Sequence, residues 1–204
     1  MPATALWAVI VAVGLLLVGP LGSLPGEVGI NRALETVRTP VWNTVTSVSS
    51  HVGDTQLVVV AALIVVALRR WRTKKWWFAV VPVIAISVPS AVFVTAAAVV
   101  ARERPEVTQL DDAPPTSSFP SGHVGASTAL YVTLAVASQW IAHPVLRAVA
   151  TGLCLLVPLL VGYAQLYRGR HPLFDVVVGL ANGMACAWLA GRYLPRRVVV
   201  RPWT

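Results

Sequence analysis

The chain has 204 residues, of which 56% are hydrophobic and only 12% are charged, and its mean hydropathy is +0.72. Soluble domains carry about 25% charged residues, so the composition excludes an ordinary soluble protein and predicts an integral membrane protein. The net charge of +8 fits contact with anionic lipid at the cytoplasmic face, and nucleic-acid binding is a poor explanation for it.

Hydropathy predicts six membrane-spanning helices. A helix needs about 20 apolar residues to cross a bilayer, and long apolar runs without alternation are typical of helices rather than barrel strands. The first run lacks the basic start and the cleavage site of a signal peptide, so we expect it to be a retained helix. No repeat or linker interrupts the chain, and residues 1–204 are expected to form one domain, an all-α bundle of six transmembrane helices. In chain order the predicted spans are 4–24, 54–69, 76–100, 123–142, 147–167 and 173–194.

The segment between the first two spans, EVGINRALETVR at 27–38, carries apolar residues at helical spacing. Ile30, Leu34 and Val37 lie at i, i+4 and i+7, with polar residues around the rest of the turn. This pattern is typical of a short helix that lies in the membrane interface.

The loop RRWRTKK, 69–75, sets the predicted orientation because it contains five basic residues and no acid. Cytoplasmic loops are enriched in Lys and Arg, so we expect this loop to be cytoplasmic. Alternation of the spans then places both termini, the 143–147 turn and the basic tail RYLPRRVVVR on the cytoplasmic side as well.

Six arginines break this rule by falling on the predicted outer side, and four of them lie beside two histidines. The histidines are His123 and His171, and the arginines are Arg102, Arg104, Arg168 and Arg170.

The stretch FPSGH, 119–123, places Ser121 or Gly122 at the start of a predicted helix. Free backbone N–H groups and the positive end of the helix dipole make such a start an anion-binding site. Gly122 also lets the backbone approach a ligand closely.

The stretch YRGRHPLFD, 167–175, precedes another predicted helix, and Pro172 suits its first position. Asp175 lies four residues after His171, one helical turn away. A carboxylate there can hold one ring nitrogen of the imidazole and fix which nitrogen faces a substrate.

An anion site, a rim of cations and two histidines together predict phosphoryl transfer. One imidazole would attack phosphorus while the other protonates the leaving oxygen. Arginine suits phosphate because its fork can bind two oxygens. Among the outer arginines we expect Arg168 to reach the phosphate, because Gly169 lets the chain fold Arg168 back over the site.

These residues resemble the three motifs of the type 2 phosphatidic acid phosphatase superfamily: K-x6-R-P, P-S-G-H and S-R-x5-H-x3-D. The second motif is complete at 120–123, the third survives as His171 and Asp175, and the first as Arg104 and Pro105. The six-helix layout and the outer position of the motif loops match the family as well.

The resemblance implies a lipid phosphatase of the cell membrane that acts at the extracytoplasmic face without a metal or cofactor. By the same resemblance His171 is the nucleophile that forms a phosphohistidine, Asp175 orients it, and His123 protonates the leaving group. The interfacial helix would flank this site and control the access of lipid. The phosphate-binding residues that the resemblance implies are Arg104, Ser121 and Gly122.

The sequence departs from the family at three motif positions, where the lysine is Ala97, the arginine is Gln165 and the serine is Ala164. A degenerate member that binds lipid phosphate without hydrolysing it is therefore the second hypothesis. A small transporter is disfavoured, because proton relays need ionisable residues in mid-helix and the predicted spans have almost none. The lipids that the resemblance implies are polyprenyl phosphates or diphosphates, phosphatidylglycerol phosphate and phosphatidic acid.

Overall fold

The computed structural model describes residues 2–20, 22, 25–74, 76–112 and 116–192, and this part of the chain is helical without a strand. Lys75 and the basic tail from 193 onward, which the sequence analysis assigns to the cytoplasmic side, lie outside the described residues. The helices are α1 (Pro2–Val18), α2 (Pro25–Thr36), α3 (Pro40–Val52), α4 (Thr55–Thr73), α5 (Trp76–Ala79), α6 (Val81–Val100), α7 (Gly122–Ser138), α8 (Pro144–Tyr167) and α9 (Leu173–Arg192).

The apolar helices confirm an all-α membrane architecture. By length and composition α6, α8 and α9 can each cross a membrane, and α3 with α4 forms a further candidate span that is bent by 51°. The helix α1 is apolar but shorter than the predicted span 4–24. It ends at Val18 because Gly19 and Pro20 follow it, and residues 21, 23 and 24 lie outside the described part.

The helix α3 is the element that hydropathy does not predict. Its sequence PVWNTVTSVSSHV is rich in hydroxyl and amide side chains, which lower its mean hydropathy. Several of the hydroxyls are satisfied within the helix: Thr46 Oγ1 donates to Trp42 O at 2.7 Å and Ser49 Oγ donates to Val45 O at 2.9 Å. Back-bonding of this kind lets a polar helix lie among apolar ones, and α3 packs along α8.

The helices α7 and α9 pack most closely, and glycines on α9 make this possible. A Cβ atom added at Gly183 would lie 2.5 Å from Gly125 O, and one added at Gly179 would lie 2.8 Å from Ser121 O. Small residues four apart allow helix backbones to approach in this way. The α7–α9 pair therefore forms the centre of the bundle, with α6 and α8 against it.

The predicted span 123–142 is too long, because α7 ends at Ser138. A turn follows, in which Ser138 Oγ and Thr151 Oγ1 are hydrogen-bonded at 2.7 Å and Gln139 Nε2 donates to Thr151 Oγ1, also at 2.7 Å. His143 then caps α8 by accepting the Leu146 N–H through Nδ1.

The segment 27–38 does contain a helix, α2, although the helix ends at Thr36, one residue before Val37. Glu27 and Asn31, one turn apart, are buried against the rest of the protein. The apolar residues Ile30 and Val37 point outward and are 36% and 57% exposed. The apolar residues thus face away from the rest of the protein, and the polar side of α2 faces the end of α8 and the start of α9.

Candidate active site

The chain leaves α6 through Ala101, whose φ of 47° lies in the left-handed region, and enters the segment that carries Arg102 and Arg104. Two contacts fix this segment next to the P-S-G-H motif. Arg102 N–H donates to Ser117 Oγ at 2.9 Å, and Ser118 N–H donates to Arg102 O at 2.8 Å. The first and second motifs are therefore neighbours in space.

Ser121 is the N-cap of α7, so the helix start that the sequence predicts is where the structure places it. Its backbone N–H donates to Asp175 O at 3.1 Å and joins the P-S-G-H segment to the start of α9. Its Oγ is buried and has no hydrogen-bond partner within the described residues. Gly122 packs against Phe93, whose ring would lie 3.2 Å from an added Cβ.

His171 lies in the turn between α8 and α9 and is 4% exposed. Its Nδ1 lies 3.6 Å from Oδ2 of Asp175, which is fully buried in the first turn of α9. Burial lowers the pKa of His171, and although Asp175 opposes this shift, the nearby charges of Arg104 and Arg170 add to it. The imidazole is therefore neutral, with Nε2 as the nitrogen turned away from Asp175.

His123 occupies the first turn of α7 and is half-buried. It lies close enough to His171, Arg104 and Arg170 for the charges of all three to act on it. The structure thus brings together the two histidines that are separated by almost fifty residues in the sequence.

Arg104 and Arg170 are the two arginines of the site that have no carboxylate partner among the described residues. Arg104 donates from Nη1 to Arg170 O at 2.8 Å, and the Nε atoms of both side chains are buried without a partner in the described part. Burial and the charge of Arg170 lower the pKa of Arg104. Two like charges held together in this way favour an anion between them.

Arg168 faces away from this pair. Its guanidinium forms two bonds with the Asp111 carboxylate and also donates to Asn43 O at 2.9 Å and to Thr46 Oγ1 at 3.3 Å. Hydrogen bonds from Arg168 lower the pKa of Asp111. Gly169 has a φ of 75°, so the chain does fold back as expected, but it carries Arg168 towards α3 and the 108–112 loop.

Arg102 bridges two buried carboxylates that the sequence analysis does not connect. One of its Nη atoms donates to Asp175 Oδ1, and the other donates to Glu27 Oε2 at 2.6 Å. Burial lowers the pKa of Arg102, but the ion pairs with Asp175 and Glu27 outweigh that effect and raise it. The sequence does contain one indication that Glu27 is buried at the site: it lies four residues before Asn31, on the polar side of the amphipathic helix.

Of the positions at which the family motifs have other residues, Gln165 adjoins the site through its backbone, because its carbonyl accepts the N–H groups of Arg170 and His171 at 3.1 and 3.4 Å. Gln165 is fully buried, and its amide donates to Ser50 Oγ on α3 at 3.1 Å. Ala97 lies in the last turn of α6, where its carbonyl accepts the Ala101 N–H.

No group of three or more His, Cys, Asp or Glu side chains in the described part of the chain is arranged to hold a metal ion. The donors that meet at the site are two imidazoles, a carboxylate already bound to Arg102, and two arginines.

Comparisons with known proteins agree with this geometry. A family model described as the PAP2 superfamily matches residues 90–198, while a comparison with curated protein sequences gave no match. The solved structures that it resembles include the first transmembrane PAP2 type phosphatidylglycerolphosphate phosphatase from Bacillus subtilis, with a TM-score of 0.80 at 18% identity over 99% of this chain and 98% of that chain. They also include LpxE of Aquifex aeolicus, with a TM-score of 0.61 at 22% identity over 84% of this chain and 98% of that chain. At these identities the likeness shows the fold.

Proposed function

The chain belongs to the PAP2 superfamily, and from this premise we propose that it is an integral-membrane phosphatase that hydrolyses a lipid phosphate through a phosphohistidine. The observation that carries the proposal is a set of buried polar atoms at the meeting point of the three motifs. Ser121 Oγ, Arg104 Nε and Arg170 Nε have no hydrogen-bond partner in the described part of the chain. Buried polar groups are almost always satisfied, and the oxygens of a phosphate would satisfy all three.

The nucleophile in this mechanism is Nε2 of neutral His171. It attacks phosphorus, the bond from phosphorus to the lipid oxygen breaks, and His123, in its imidazolium form, gives a proton to that oxygen so that the lipid leaves as an alcohol. Water then attacks the phosphohistidine, His123 takes a proton from the water, and phosphate leaves as His171 is restored. Asp175 stabilises the ring as positive charge develops on it. No metal enters these steps, because nucleophile, acid and charge stabilisation all come from side chains.

The phosphate cradle in the proposal consists of Arg104, Arg170, Ser121 and the free N–H groups at the start of α7, which include that of Gly122. Arg170, and not Arg168 as the sequence predicts, is the second phosphate-binding arginine. The guanidinium of Arg168 is already bound to Asp111, Asn43 and Thr46. Positioned cations supply much of the catalysis of phosphoryl transfer.

The charge of this cradle favours a phosphomonoester over a diphosphate. Arg104 and Arg170 supply two positive charges that no carboxylate neutralises within the described residues, and a phosphomonoester carries a charge of about −1.5 to −2 at neutral pH. Among the implied lipids we therefore place polyprenyl monophosphate, phosphatidylglycerol phosphate and phosphatidic acid ahead of polyprenyl diphosphate.

We also propose that the whole chain forms one domain in the cell membrane, with a defined orientation. Six crossings, by α1, the α3–α4 pair, α5 with α6, α7, α8 and α9, would put both termini in the cytoplasm and the site at the extracytoplasmic face. The helix α2 would lie in the outer interface beside the site and control the access of lipid.

The alternative is a degenerate member of the family that binds lipid phosphate without turnover. The uncharged residues Ala97 and Gln165, at positions where the family has cations, are the observation that favours it. Loss of these charges weakens the cradle but leaves His171, Asp175 and His123 in place.

Release of inorganic phosphate by purified protein in lipid micelles separates the two functions. We expect wild-type protein to release phosphate from a lipid monophosphate and His171→Asn to release none, while both variants bind the lipid. Trapping of a phosphorylated wild-type protein that is absent from His171→Asn would identify the intermediate. Lipid binding without phosphate release from any lipid tested would establish the non-catalytic binder.

A further inference from the structure

Arg102 lies at the centre of a buried chain of ionic contacts that runs from α2 to the nucleophile. The exposed fractions of the three side chains are 8% for Arg102, 2% for Glu27 and 0% for Asp175. Taking charges out of water is costly, and a buried ion pair is tolerated only where the geometry satisfies its groups. Here one cation is shared by two carboxylates; Glu27 also uses its second oxygen, whereas Asp175 Oδ2 has no hydrogen-bond partner within the described residues.

The carboxylate oxygens that do not bind Arg102 connect Glu27 to α9 and Asp175 to His171. Glu27 Oε1 accepts the N–H of Phe174 at 2.9 Å, in the first turn of α9, where a carboxylate is also favoured by the helix dipole. Asp175 Oδ2 is the atom that lies 3.6 Å from His171 Nδ1. Arg102 therefore occupies Oδ1 and leaves Oδ2 for the imidazole.

The helix α2 also holds the backbone of the nucleophile. Asn31, one turn after Glu27, donates from Nδ2 to His171 O at 3.2 Å and to Leu166 O at 2.9 Å. Its Nδ2 thus ties the turn that carries His171 to the end of α8.

We propose that Glu27 and Arg102 are positioning residues for the nucleophile, with Glu27 fixing Arg102 and Arg102 fixing Asp175 so that Oδ2 orients the His171 ring. This inference rests on the proposed function, since orientation matters only if His171 attacks. It makes α2 part of the catalytic apparatus as well as the flank of the site. Neither residue touches the substrate in this arrangement.

The two residues act on the charge of His171 in opposite directions. The groups that face His171 are Asp175, Arg104, Arg170 and His123. Loss of the cation in Arg102→Gln leaves the Asp175 carboxylate unopposed, which favours the imidazolium and raises the pKa of His171. Loss of the anion in Glu27→Gln gives Asp175 the whole charge of Arg102, which lowers the pKa of His171.

Nuclear magnetic resonance titration of His171 in the detergent-solubilised full chain tests this prediction without relying on turnover. We expect Arg102→Gln and Glu27→Gln to shift the pKa of His171 in opposite directions, up and down respectively. Arg102→Lys keeps the charge and should leave this pKa near that of wild type, and it also covers the case in which Arg102→Gln does not fold. Shifts in the same direction, or none in Glu27→Gln, would overturn the proposal.

Phosphate release supplies the second readout. A positioning role predicts that Glu27→Gln and Arg102→Lys lower kcat by about 10-fold or more, as supporting contacts do around other reactive groups, with KM unchanged and with equal losses on a lipid and an aryl phosphate. The matched control is Arg32→Gln, an exposed charge on the same helix, which should retain the wild-type kcat. An increase in KM alone would mean that the network shapes the lipid site instead. A wild-type protein without turnover would refute the proposed function. The titration of His171 would still test whether Glu27 and Arg102 act on His171 through Asp175.

Discussion

Four arginines lie in the segments next to the two histidines, and their partners divide them into two pairs. Arg102 and Arg168 are bound to buried or partly buried carboxylates, namely Asp175 with Glu27, and Asp111. Arg104 and Arg170 have no carboxylate partner in the described residues and keep a buried, unpartnered Nε. Only the second pair can bind an anion without first breaking an ion pair.

This division predicts different effects for neighbouring substitutions. Arg170→Gln should remove a charge-assisted contact to phosphate and cost about 2 kcal/mol in kcat/KM, or roughly 30-fold, with little change in stability. Arg168→Gln, two residues away, should instead lower the thermal unfolding midpoint, because it releases the 108–112 loop from α3. Phosphate-release kinetics and thermal unfolding of the two purified variants make the comparison. A larger kinetic loss in Arg168→Gln than in Arg170→Gln would restore the role that the sequence predicts for Arg168.

At the scale of the helices, the contact between α7 and α9 sets the geometry of the site. Both helices begin at the site, with Ser121 capping one and Asp175 in the first turn of the other, and one backbone hydrogen bond of 3.1 Å joins them. Gly183, two turns after Asp175, closely approaches Gly125, one turn after Ser121, and this contact holds the helices at the separation that the bond requires.

Gly183→Ala tests this packing. The added methyl would lie 2.5 Å from both Gly125 O and Thr128 Cβ, so α7 and α9 must move apart. We expect a lower thermal unfolding midpoint and a lower kcat, because Ser121 and Asp175 separate. Gly191→Ala on the same helix is the control, since nothing lies within 4 Å of an added Cβ there and alanine stabilises an exposed helix by up to about 1 kcal/mol. Equal behaviour of the two variants would show that α9 adapts at Gly183 without a change at the site.

For the whole molecule, the two ends of the bundle differ in charge. Arg69 and Arg192 line a cavity of about 340 Å3 with Trp140 and Trp188, where the ends of α4, α7 and α9 meet. The starts of α7 and α9 lie at the other end, where the buried carboxylates Glu27 and Asp175 offset part of the positive charge of the arginines at the site. This polarity agrees with a cytoplasmic location for the Arg69 end, because cytoplasmic segments are enriched in basic residues.

Cysteine accessibility tests the orientation. After replacement of Cys154 and Cys186, which are both free, we would introduce Glu106→Cys beside the site and Ala142→Cys at the turn before α8, both at exposed positions. In intact cells a membrane-impermeant maleimide should label the first variant, and should label the second only after permeabilisation. The reverse pattern would place the site in the cytoplasm.

Local sequence is sufficient for much of this protein. Apolar runs predict α6, α8 and α9 because burying a run of about 20 residues in lipid outweighs other preferences, and the i, i+4 pattern predicts α2. The motifs also identify the family, since P-S-G-H and H-x3-D are short stretches whose spacing survives in the sequence.

Tertiary structure alone decides which partner each charged or polar group finds. Hydropathy misses α3 because hydroxyls that make it polar, such as those of Thr46 and Ser49, are satisfied inside the helix. Its position in the sequence favours Arg168 as a phosphate-binding residue, but its guanidinium is bound to Asp111, 57 residues away. Glu27 reaches Asp175 only through Arg102, across separations of 75 and 73 residues. Hydrophobic periodicity is a property of neighbouring residues, whereas the pairing of buried charges depends on which distant segments meet, and that is fixed only when the helices pack.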